Sequence, residues 1–151
     1  MNRITRFLSA SLAVTVVMSG AAIYSAQADE SAAKKHGPIA WVEKLDEAKK
    51  IAAKEKKIVF MDFYADWCGP CKQMLATTYK NPDVVARSKK FVPALINVDK
   101  NKELAEKYQI SAIPAVLFLD GKGKVIVRSD GYVEAPEFLK LMDAAVKRAK
   151  Q

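Results

Sequence analysis

The chain has 151 residues, of which 50% are hydrophobic and 28% are charged, and its formal net charge is +8 at pH 7. This length suits one domain, and the composition excludes an intrinsically disordered or collagen-like protein. The lysines are spread along the chain without interleaved aromatic residues, so we expect solvated basic surfaces and no nucleic-acid partner.

The residues 1–28 have the three-part layout of a secretory signal peptide. A short basic start, MNRITR, precedes an apolar stretch, and Ala26-Gln27-Ala28 supplies an A-x-A cleavage pattern. The alternative is an uncleaved membrane anchor, but Ser, Thr and Gly make this stretch weaker than the run of about 20 strongly apolar residues that a stable span uses. We therefore predict a signal peptide over 1–28 and a periplasmic or secreted mature chain that starts at Asp29.

The residues 29–38 are small, polar and charged and end in a Gly-Pro pair, which predicts a flexible lead-in with the single histidine, His36, exposed. From Ile39 to Lys56, apolar residues recur at three- and four-residue spacing, which predicts an amphipathic helix. The run KIVFMDFYA that follows is continuously apolar rather than alternating, so we predict a buried central strand.

The rest of the chain alternates between helical and extended patterns. Gly69 and Pro70 open a second helix, and Asn81 and Pro82 provide the N-cap and first position of a third. FVPALINVD, AVLFLD and KVIVRS predict three strands, and NKELAEKYQI and EAPEFLKLMDAAVKRAK predict two helices. The order α-β-α-α-β-α-β-β-α favours an α/β fold with a central mixed sheet flanked by helices on both faces.

Cys68 and Cys71 are the only cysteines, and three kinds of site compete for them. A zinc site needs about four ligands, which this chain does not offer, so we expect no metal. A structural disulfide over so short a loop would constrain the unfolded chain little. Redox chemistry is favoured, because Cys68 lies just before a helix start, where unpaired N–H groups stabilise a thiolate, and Cys71 follows one turn later.

The segment FYADWCGPCK resembles the active-site segment of the thioredoxin family, whose hallmark is W-C-G-P-C-K after a central strand. ISAIPAVLFLD resembles the cis-proline loop of that family, and the similarity runs from Trp41 to Lys150. The resemblance implies a thioredoxin fold and a thioredoxin-like domain over 39–151. The sequence on both sides of the motif looks closer to the C-terminal domain of DsbD-type thiol:disulfide interchange proteins, although Gly-Pro between the cysteines is typical of thioredoxin itself.

The resemblance also implies roles for three catalytic residues. Cys68 would attack a substrate disulfide, and Cys71 would resolve the mixed disulfide that results. Asp62 would lie buried beneath the pair and accept the proton of Cys71, and the alternative is a polar residue at a strand end. One position departs from the family, since its buried lysine corresponds to Leu95 here. Asp62 would then lack its usual charge partner.

Five further residues would support the cysteine pair. Trp67 would shield it and contact partners, with simple packing as the alternative. Gly69 and Pro70 lie between the cysteines, and Pro70 would stiffen the turn. Pro114 would be cis, and together with Ile113 it would offer backbone to which a substrate pairs as an added strand.

The resemblance implies a thiol:disulfide oxidoreductase that acts on protein thiols and disulfides, with the Cys68–Cys71 bond as the redox centre and no cofactor. Gly-Pro between the cysteines, with no histidine there, resembles the reductants of the family rather than its oxidants. A reductant outside the cytoplasm must be recharged, so we expect a membrane-embedded electron donor of the DsbD type, and we expect a monomer. A disulfide oxidase or isomerase, or a chaperone-like peptide-binding module, remains the alternative.

Overall fold

The computed structural model describes residues 36–151, and its helices and strands follow the predicted order. The predicted signal peptide over 1–28 and most of the lead-in over 29–38 lie outside the described residues. The helices are α1 (Leu45–Glu55), α2 (Gly69–Ala76), α3 (Pro82–Ser88), α4 (Lys102–Lys107) and α5 (Ala135–Arg148), and a 3-10 turn spans Thr78–Lys80. The strands are β1 (Ile58–Tyr64), β2 (Phe91–Asn97), β3 (Ala115–Leu119) and β4 (Val125–Asp130).

The strands form one mixed sheet in the order β2-β1-β3-β4. β1 pairs in parallel with β2 and antiparallel with β3, and β4 pairs antiparallel with β3. β1 therefore lies inside the sheet, and every residue of it after Ile58 is buried. Burial on both faces explains why its sequence is continuously apolar.

Successive side chains of the sheet point into two apolar clusters on opposite faces. On one face, Phe60 and Phe118 pack with residues of α2, α3 and α5, and both cysteines belong to this cluster. On the other face, Met61 and Leu117 pack with residues of α1 and α4. The prediction of helices on both faces of a mixed sheet is confirmed, and the cysteines lie on the face covered by α5.

The first helix begins at Leu45, so the predicted start at Ile39 is wrong. The chain before it runs along the outer edge of β2. There the Val42 N–H donates to the Pro93 carbonyl at 2.9 Å, and the Leu95 N–H donates to the Val42 carbonyl at 2.9 Å. Pro93 has no N–H to contribute on this side, which suits an edge strand.

His36 was expected to be exposed, but only 8% of its surface is accessible. Its ring packs edge-on against Tyr64, with ring centroids 5.6 Å apart. Its carbonyl accepts a hydrogen bond from the indole N–H of Trp41 at 3.4 Å, and Trp41 is itself buried against the ring of Phe60. The prediction that His36 is exposed was wrong, because the buried indole N–H of Trp41 needs an acceptor. The His36 carbonyl provides it, which places His36 against the domain.

Two helices begin where the sequence indicated. Gly69 and Pro70 open α2, and the Asn81 side chain caps α3 by accepting hydrogen bonds from the N–H groups of Asp83 at 3.0 Å and Val84 at 3.3 Å. Within residues 36–151, no helix combines the length and the apolar character that crossing a bilayer requires.

Candidate active site

The two cysteines lie where the central strand β1 leads into helix α2. Strand β1 ends at Tyr64 and α2 begins at Gly69, which leaves Cys68 as the N-cap residue of the helix. Cys68 and Cys71 form a disulfide, and the Cys71 N–H donates to Cys68 Sγ at 3.2 Å. Pro70 lies in the first helical turn, where a backbone N–H would have no helical carbonyl to bind, so its missing N–H costs the helix nothing. The Cys68 sulfur thus lies where a helix N-terminus stabilises negative charge.

The loop that precedes β3 lies against the disulfide. The Ile113–Pro114 peptide bond is cis, as the resemblance implies, and the Ile113 carbonyl oxygen lies 3.8 Å from Cys68 Sγ. The same loop accepts a hydrogen bond from the residue after β4: the Gly131 N–H donates to the Pro114 carbonyl at 2.7 Å. Gly131 has a φ of +89°, which a residue with a side chain adopts only at a cost. The residue after β4 therefore helps to hold the proline loop beside Cys68.

Asp62 lies in the middle of β1 with 1% of its surface accessible. The Tyr79 hydroxyl donates to its Oδ2 at 3.0 Å, whereas Oδ1 is buried and has no hydrogen-bond partner among residues 36–151. Burial raises the pKa of Asp62 from its ordinary value of 3.8 to about 8, and the hydrogen bond from Tyr79 acts in the opposite direction. A carboxyl with such a pKa can gain or lose a proton near neutral pH.

The neighbours of Asp62 in the sheet are apolar. In β2 its register partner is Leu95, and in β3 it is Val116. Both are buried in the cluster that contains the cysteines. The departure from the family that the sequence indicated at Leu95 therefore falls directly beside the carboxyl, and the polar contact to Asp62 comes from Tyr79 instead.

Trp67 lies in the turn before Cys68, and 69% of its surface is accessible. Its indole N–H donates to Asp99 Oδ2 at 3.0 Å, and the Asp99 N–H donates to the Asn97 side-chain oxygen at 2.9 Å. Packing in the core does not account for this position. The indole ring is held at the surface next to the disulfide.

The structure brings the predicted residues to one end of the sheet. Trp67, Gly69 and Pro70 are exposed around the disulfide, the cis-proline loop lies against Cys68, and Asp62 lies inside on the same face as the cysteines. Among residues 36–151, no group of three or more His, Cys, Asp or Glu side chains is placed to hold a metal ion.

Two partners of the site were not singled out from the sequence. Tyr79 donates a hydrogen bond to Asp62, which lies 17 positions away in the chain. Asp99 accepts a hydrogen bond from Trp67, which lies 32 positions away. The spacing of residues along single elements carries no sign of such contacts. The missing lysine at Leu95 was the one available signal, because it indicated that Asp62 would need another polar partner.

Comparisons with known proteins agree with this geometry. Residues 45–146 match the family described as thioredoxin-like domain. The thiol:disulfide interchange protein DsbD of Vibrio vulnificus (strain CMCP6) is 36% identical over 104 residues, which make up 65% of this chain and 18% of that protein. Thioredoxin-1 of Drosophila melanogaster is 43% identical over 76 residues, or 49% of this chain and 67% of that protein.

Solved structures give the same result for the fold. The solution structure of a thioredoxin from Thermus thermophilus superposes with a TM-score of 0.68 at 26% identity, and the match covers 74% of this chain and 90% of that one. The chain spans less than a fifth of the length of the DsbD protein that it matches. It belongs to the thioredoxin-like domain family, and with its Cys68–Cys71 pair it is a thiol:disulfide oxidoreductase of the thioredoxin family.

Proposed function

We propose that this protein reduces disulfides of other proteins outside the cytoplasm, with Cys68 as the attacking thiolate and Cys71 as the resolving thiol. The observation that carries the proposal is the N-cap position of Cys68, whose sulfur accepts the Cys71 N–H at 3.2 Å. When the disulfide is reduced, a donor at this position and the N-terminus of α2 favour the thiolate form of Cys68. The thiolate is the species that attacks a disulfide.

The reaction proceeds in two exchanges. The Cys68 thiolate attacks one sulfur of the substrate disulfide, that S–S bond breaks, and the first substrate thiolate takes a proton from water. Cys71 then gives up its proton, and its thiolate attacks Cys68 Sγ and expels the second substrate sulfur. Two electrons have moved to the substrate, and Cys68–Cys71 is a disulfide again.

Asp62 is the proton acceptor for Cys71 in the second exchange. Its pKa of about 8 supports this role, because a carboxylate with this basicity takes a thiol proton near neutral pH more readily than an exposed carboxylate does. Replacement by asparagine, Asp62→Asn, keeps the shape and removes the acceptor. We expect slower resolution of the mixed disulfide, and an unchanged rate would remove Asp62 from the mechanism.

The substrate backbone pairs beside the cis-proline. The Ile113 carbonyl oxygen lies 3.8 Å from Cys68 Sγ, so a segment aligned on this loop presents its own sulfur to the nucleophile. Trp67, the residue before Cys68, is exposed and offers apolar contact area to the same segment. These contacts suit extended protein segments more than a particular side-chain sequence.

The direction of electron transfer depends on how strongly the reduced pair is stabilised. Strong stabilisation of the thiolate makes a pair oxidising, as in DsbA. The two residues between the cysteines, Gly69 and Pro70, add no charged or hydrogen-bonding side chain, and Pro70 adds no N–H. Gly69 and Pro70 thus add nothing to the stabilisation that the helix N-terminus gives the Cys68 thiolate, which favours a reducing pair.

A reducing pair outside the cytoplasm needs a supply of electrons. The matched region of the DsbD relative covers 18% of that protein, so the likeness concerns one part of a longer chain. We propose that a membrane-embedded donor of the DsbD type reduces Cys68–Cys71. We also propose that the residues 1–28 direct export, and that the mature chain begins at Asp29 and acts as a monomer. Cell fractionation with N-terminal sequencing tests the export, and a full-length cytoplasmic chain would contradict it.

The equilibrium reduction potential of the Cys68–Cys71 pair tests the direction. Mature protein from Asp29 onwards is equilibrated with a series of dithiothreitol ratios and a series of glutathione ratios, and the reduced fraction is counted by thiol alkylation and mass spectrometry. We expect a value close to that of thioredoxin, about −270 mV. A value close to that of DsbA, about −120 mV, would assign the protein to disulfide formation instead.

A further inference from the structure

Tyr79 has a place in the site that the cysteine motif does not explain. Its side chain is buried at the 3-10 turn, and its hydroxyl donates to Asp62 Oδ2 at 3.0 Å. We propose that Tyr79 is a positioning residue for thiol:disulfide exchange: its hydroxyl holds Asp62 by Oδ2, which leaves Oδ1 available for the proton. The inference rests on the proposed role of Asp62 as the proton acceptor for Cys71.

The position of the Tyr79 hydroxyl is fixed by packing. The tyrosine ring meets Trp41 and Phe138 edge-on, with ring centroids 4.9 Å and 5.3 Å apart. The preceding residue, Thr78, is buried and donates its hydroxyl to the Val133 carbonyl at 2.6 Å. A ring confined on several sides cannot turn its hydroxyl away from Asp62 without disturbing the core. The hydrogen bond therefore restricts the carboxyl to one orientation.

Among residues 36–151, the side chains packed beside Asp62 in the sheet and at the cysteine pair carry no fixed positive charge. The register partners in β2 and β3, Leu95 and Val116, are apolar, and the sulfurs of Cys68 and Cys71 carry no charge while they form the disulfide.

Two more titratable groups complete these surroundings. On β1 itself, Tyr64 lies two residues away, and its pKa is raised by burial, with a smaller contribution from the charge of Asp62. The ring of His36 packs against Tyr64 at 5.6 Å. Tyr79 is thus the donor that acts on the carboxyl directly.

Tyr79 remains a donor over the whole working range of pH. Burial and then the charge of Asp62 raise the pKa of Tyr79 well above its ordinary value of 10.0, so the hydroxyl stays protonated. Burial raises the pKa of Asp62, and the hydrogen bond from Tyr79 lowers it, because the hydroxyl stabilises the carboxylate more than the neutral acid. The family's lysine would stand at position 95, whereas the polar contact to Asp62 comes here from Tyr79 in the 3-10 turn, as a neutral donor.

The test is Tyr79→Phe, which removes one oxygen and keeps the ring. Tyr108→Phe is the matched control, because Tyr108 packs near Phe63 on the opposite face of the sheet. Ionisation of Asp62 is followed by 13C NMR of its carboxyl carbon in the mature protein, without any substrate. We expect the Asp62 midpoint to rise by about one pH unit in Tyr79→Phe, since a hydrogen bond to a charged group has about this strength. We expect no change in Tyr108→Phe.

The second measurement is the pH profile of exchange with the disulfides of insulin. If the Asp62 midpoint moves from about 8 to about one pH unit higher, the carboxylate fraction and the rate at pH 7 fall about tenfold. The rate recovers as the pH rises past the new midpoint. Loss of packing alone would lower the rate at every pH and would not move the profile. The double variant Asp62→Asn/Tyr79→Phe should behave like Asp62→Asn alone.

The outcomes separate this inference from the proposed function. An unchanged Asp62 titration in Tyr79→Phe overturns the inference and leaves the mechanism of the cysteines intact. A shifted titration with an unshifted exchange profile overturns the role of Asp62 as acceptor, and the inference falls with it. If Tyr79→Phe does not fold, site-specific 3-fluorotyrosine at position 79 provides a stronger donor of nearly the same shape. The Asp62 midpoint should then fall, and an unchanged midpoint overturns the inference.

Discussion

Asp62 and Leu95 are register partners in the adjacent parallel strands β1 and β2, so a buried carboxyl lies next to a buried leucine. In the thioredoxin family, the position that corresponds to Leu95 is expected to hold a lysine. A cation there would stabilise the carboxylate, whereas leucine leaves the cost of desolvation uncompensated. The acid–base behaviour of this site is therefore set by burial and by a neutral hydrogen bond from Tyr79.

Restoring the lysine tests this relationship. In Leu95→Lys we expect the pKa of Asp62 to fall from about 8 toward its ordinary value of 3.8, because an ammonium group beside the carboxyl favours the charged form. Carboxyl titration by 13C NMR measures the shift. Leu95→Met is the matched control, since it introduces an unbranched side chain close in length to that of lysine and adds no charge. Equal titrations in the two variants would show that position 95 does not act on Asp62.

The buried acid also makes the stability of the oxidised fold depend on pH. The pKa of Asp62 is about 8 in the folded chain against an ordinary value of 3.8, so between these values the folded state binds more protons than the unfolded state. The free energy of unfolding is then greatest below the unfolded pKa and falls as the pH rises toward 8, with a slope of up to about 1.4 kcal/mol per pH unit.

Asp62→Asn should remove that slope and should raise the stability at pH 8 and above, because no charge is left to desolvate. Urea unfolding of the oxidised protein at pH 5, 7 and 9 measures both effects. Asp46→Asn is the control, because Asp46 is exposed in the first turn of α1. The same slope in Asp62→Asn and in the unchanged protein would mean that another group is responsible.

Much of the fold follows from patterns that are local in the chain. The continuous apolar run of β1, the Gly-Pro start of α2 and the Asn-Pro start of α3 each depend on neighbouring residues, and each was predicted correctly. The start of α1 was not, because the segment around Val42 pairs with the backbone of Pro93 and Leu95. A contact with a strand so far along the chain leaves no trace in the spacing of apolar residues.

The residues of the site also fall into those that local sequence predicts and those whose contacts depend on distant parts of the chain. Cys68 and Cys71 are three positions apart, where a strand ends and a helix starts, so their geometry could be predicted from a short segment. The hydrogen bond of Asp62 to Tyr79 depends on how the 3-10 turn docks on the sheet, which the packing of several rings decides. The absence of lysine at position 95 indicates that a partner is needed, but not which residue provides it.

The two tryptophans should respond in opposite ways to truncation. Trp67 is 69% accessible, so Trp67→Ala should change the free energy of unfolding by no more than about 0.5 kcal/mol. Trp41 is 3% accessible within the aromatic cluster, and Trp41→Ala should cost about 3–5 kcal/mol. Urea unfolding measures both.

Exchange assays then show what the exposed indole does. We expect Trp67→Ala to lower the catalytic efficiency with a protein disulfide, because the variant loses apolar contact area next to Cys68. It should react almost normally with a small disulfide such as oxidised glutathione, which covers little of the surface. Trp67→Phe is the control that retains a ring and loses the hydrogen bond to Asp99. Equal losses with the large and small disulfides would argue against a contact with protein partners.

Serine at each cysteine position distinguishes the attacking sulfur from the resolving one. In Cys71→Ser, the Cys68 thiolate attacks a substrate disulfide and no second thiol completes the reaction, so a mixed disulfide should accumulate. Cys68→Ser should give neither turnover nor a trapped complex, because Cys71 lies within α2 and lacks the N-cap position that favours the thiolate of Cys68. Non-reducing electrophoresis and intact mass after incubation with insulin measure the trapped fraction.

Stability serves as the control for this pair of variants. Both lose the same disulfide, which closes a short loop and stabilises the fold little through the unfolded chain, so the two should unfold alike and close to the reduced protein. A difference in trapping between two equally stable variants then reports on chemistry. If Cys68→Ser traps insulin as efficiently as Cys71→Ser, the attacking role passes to Cys71. The N-cap position of Cys68 would then not select the attacking thiolate, as the mechanism requires.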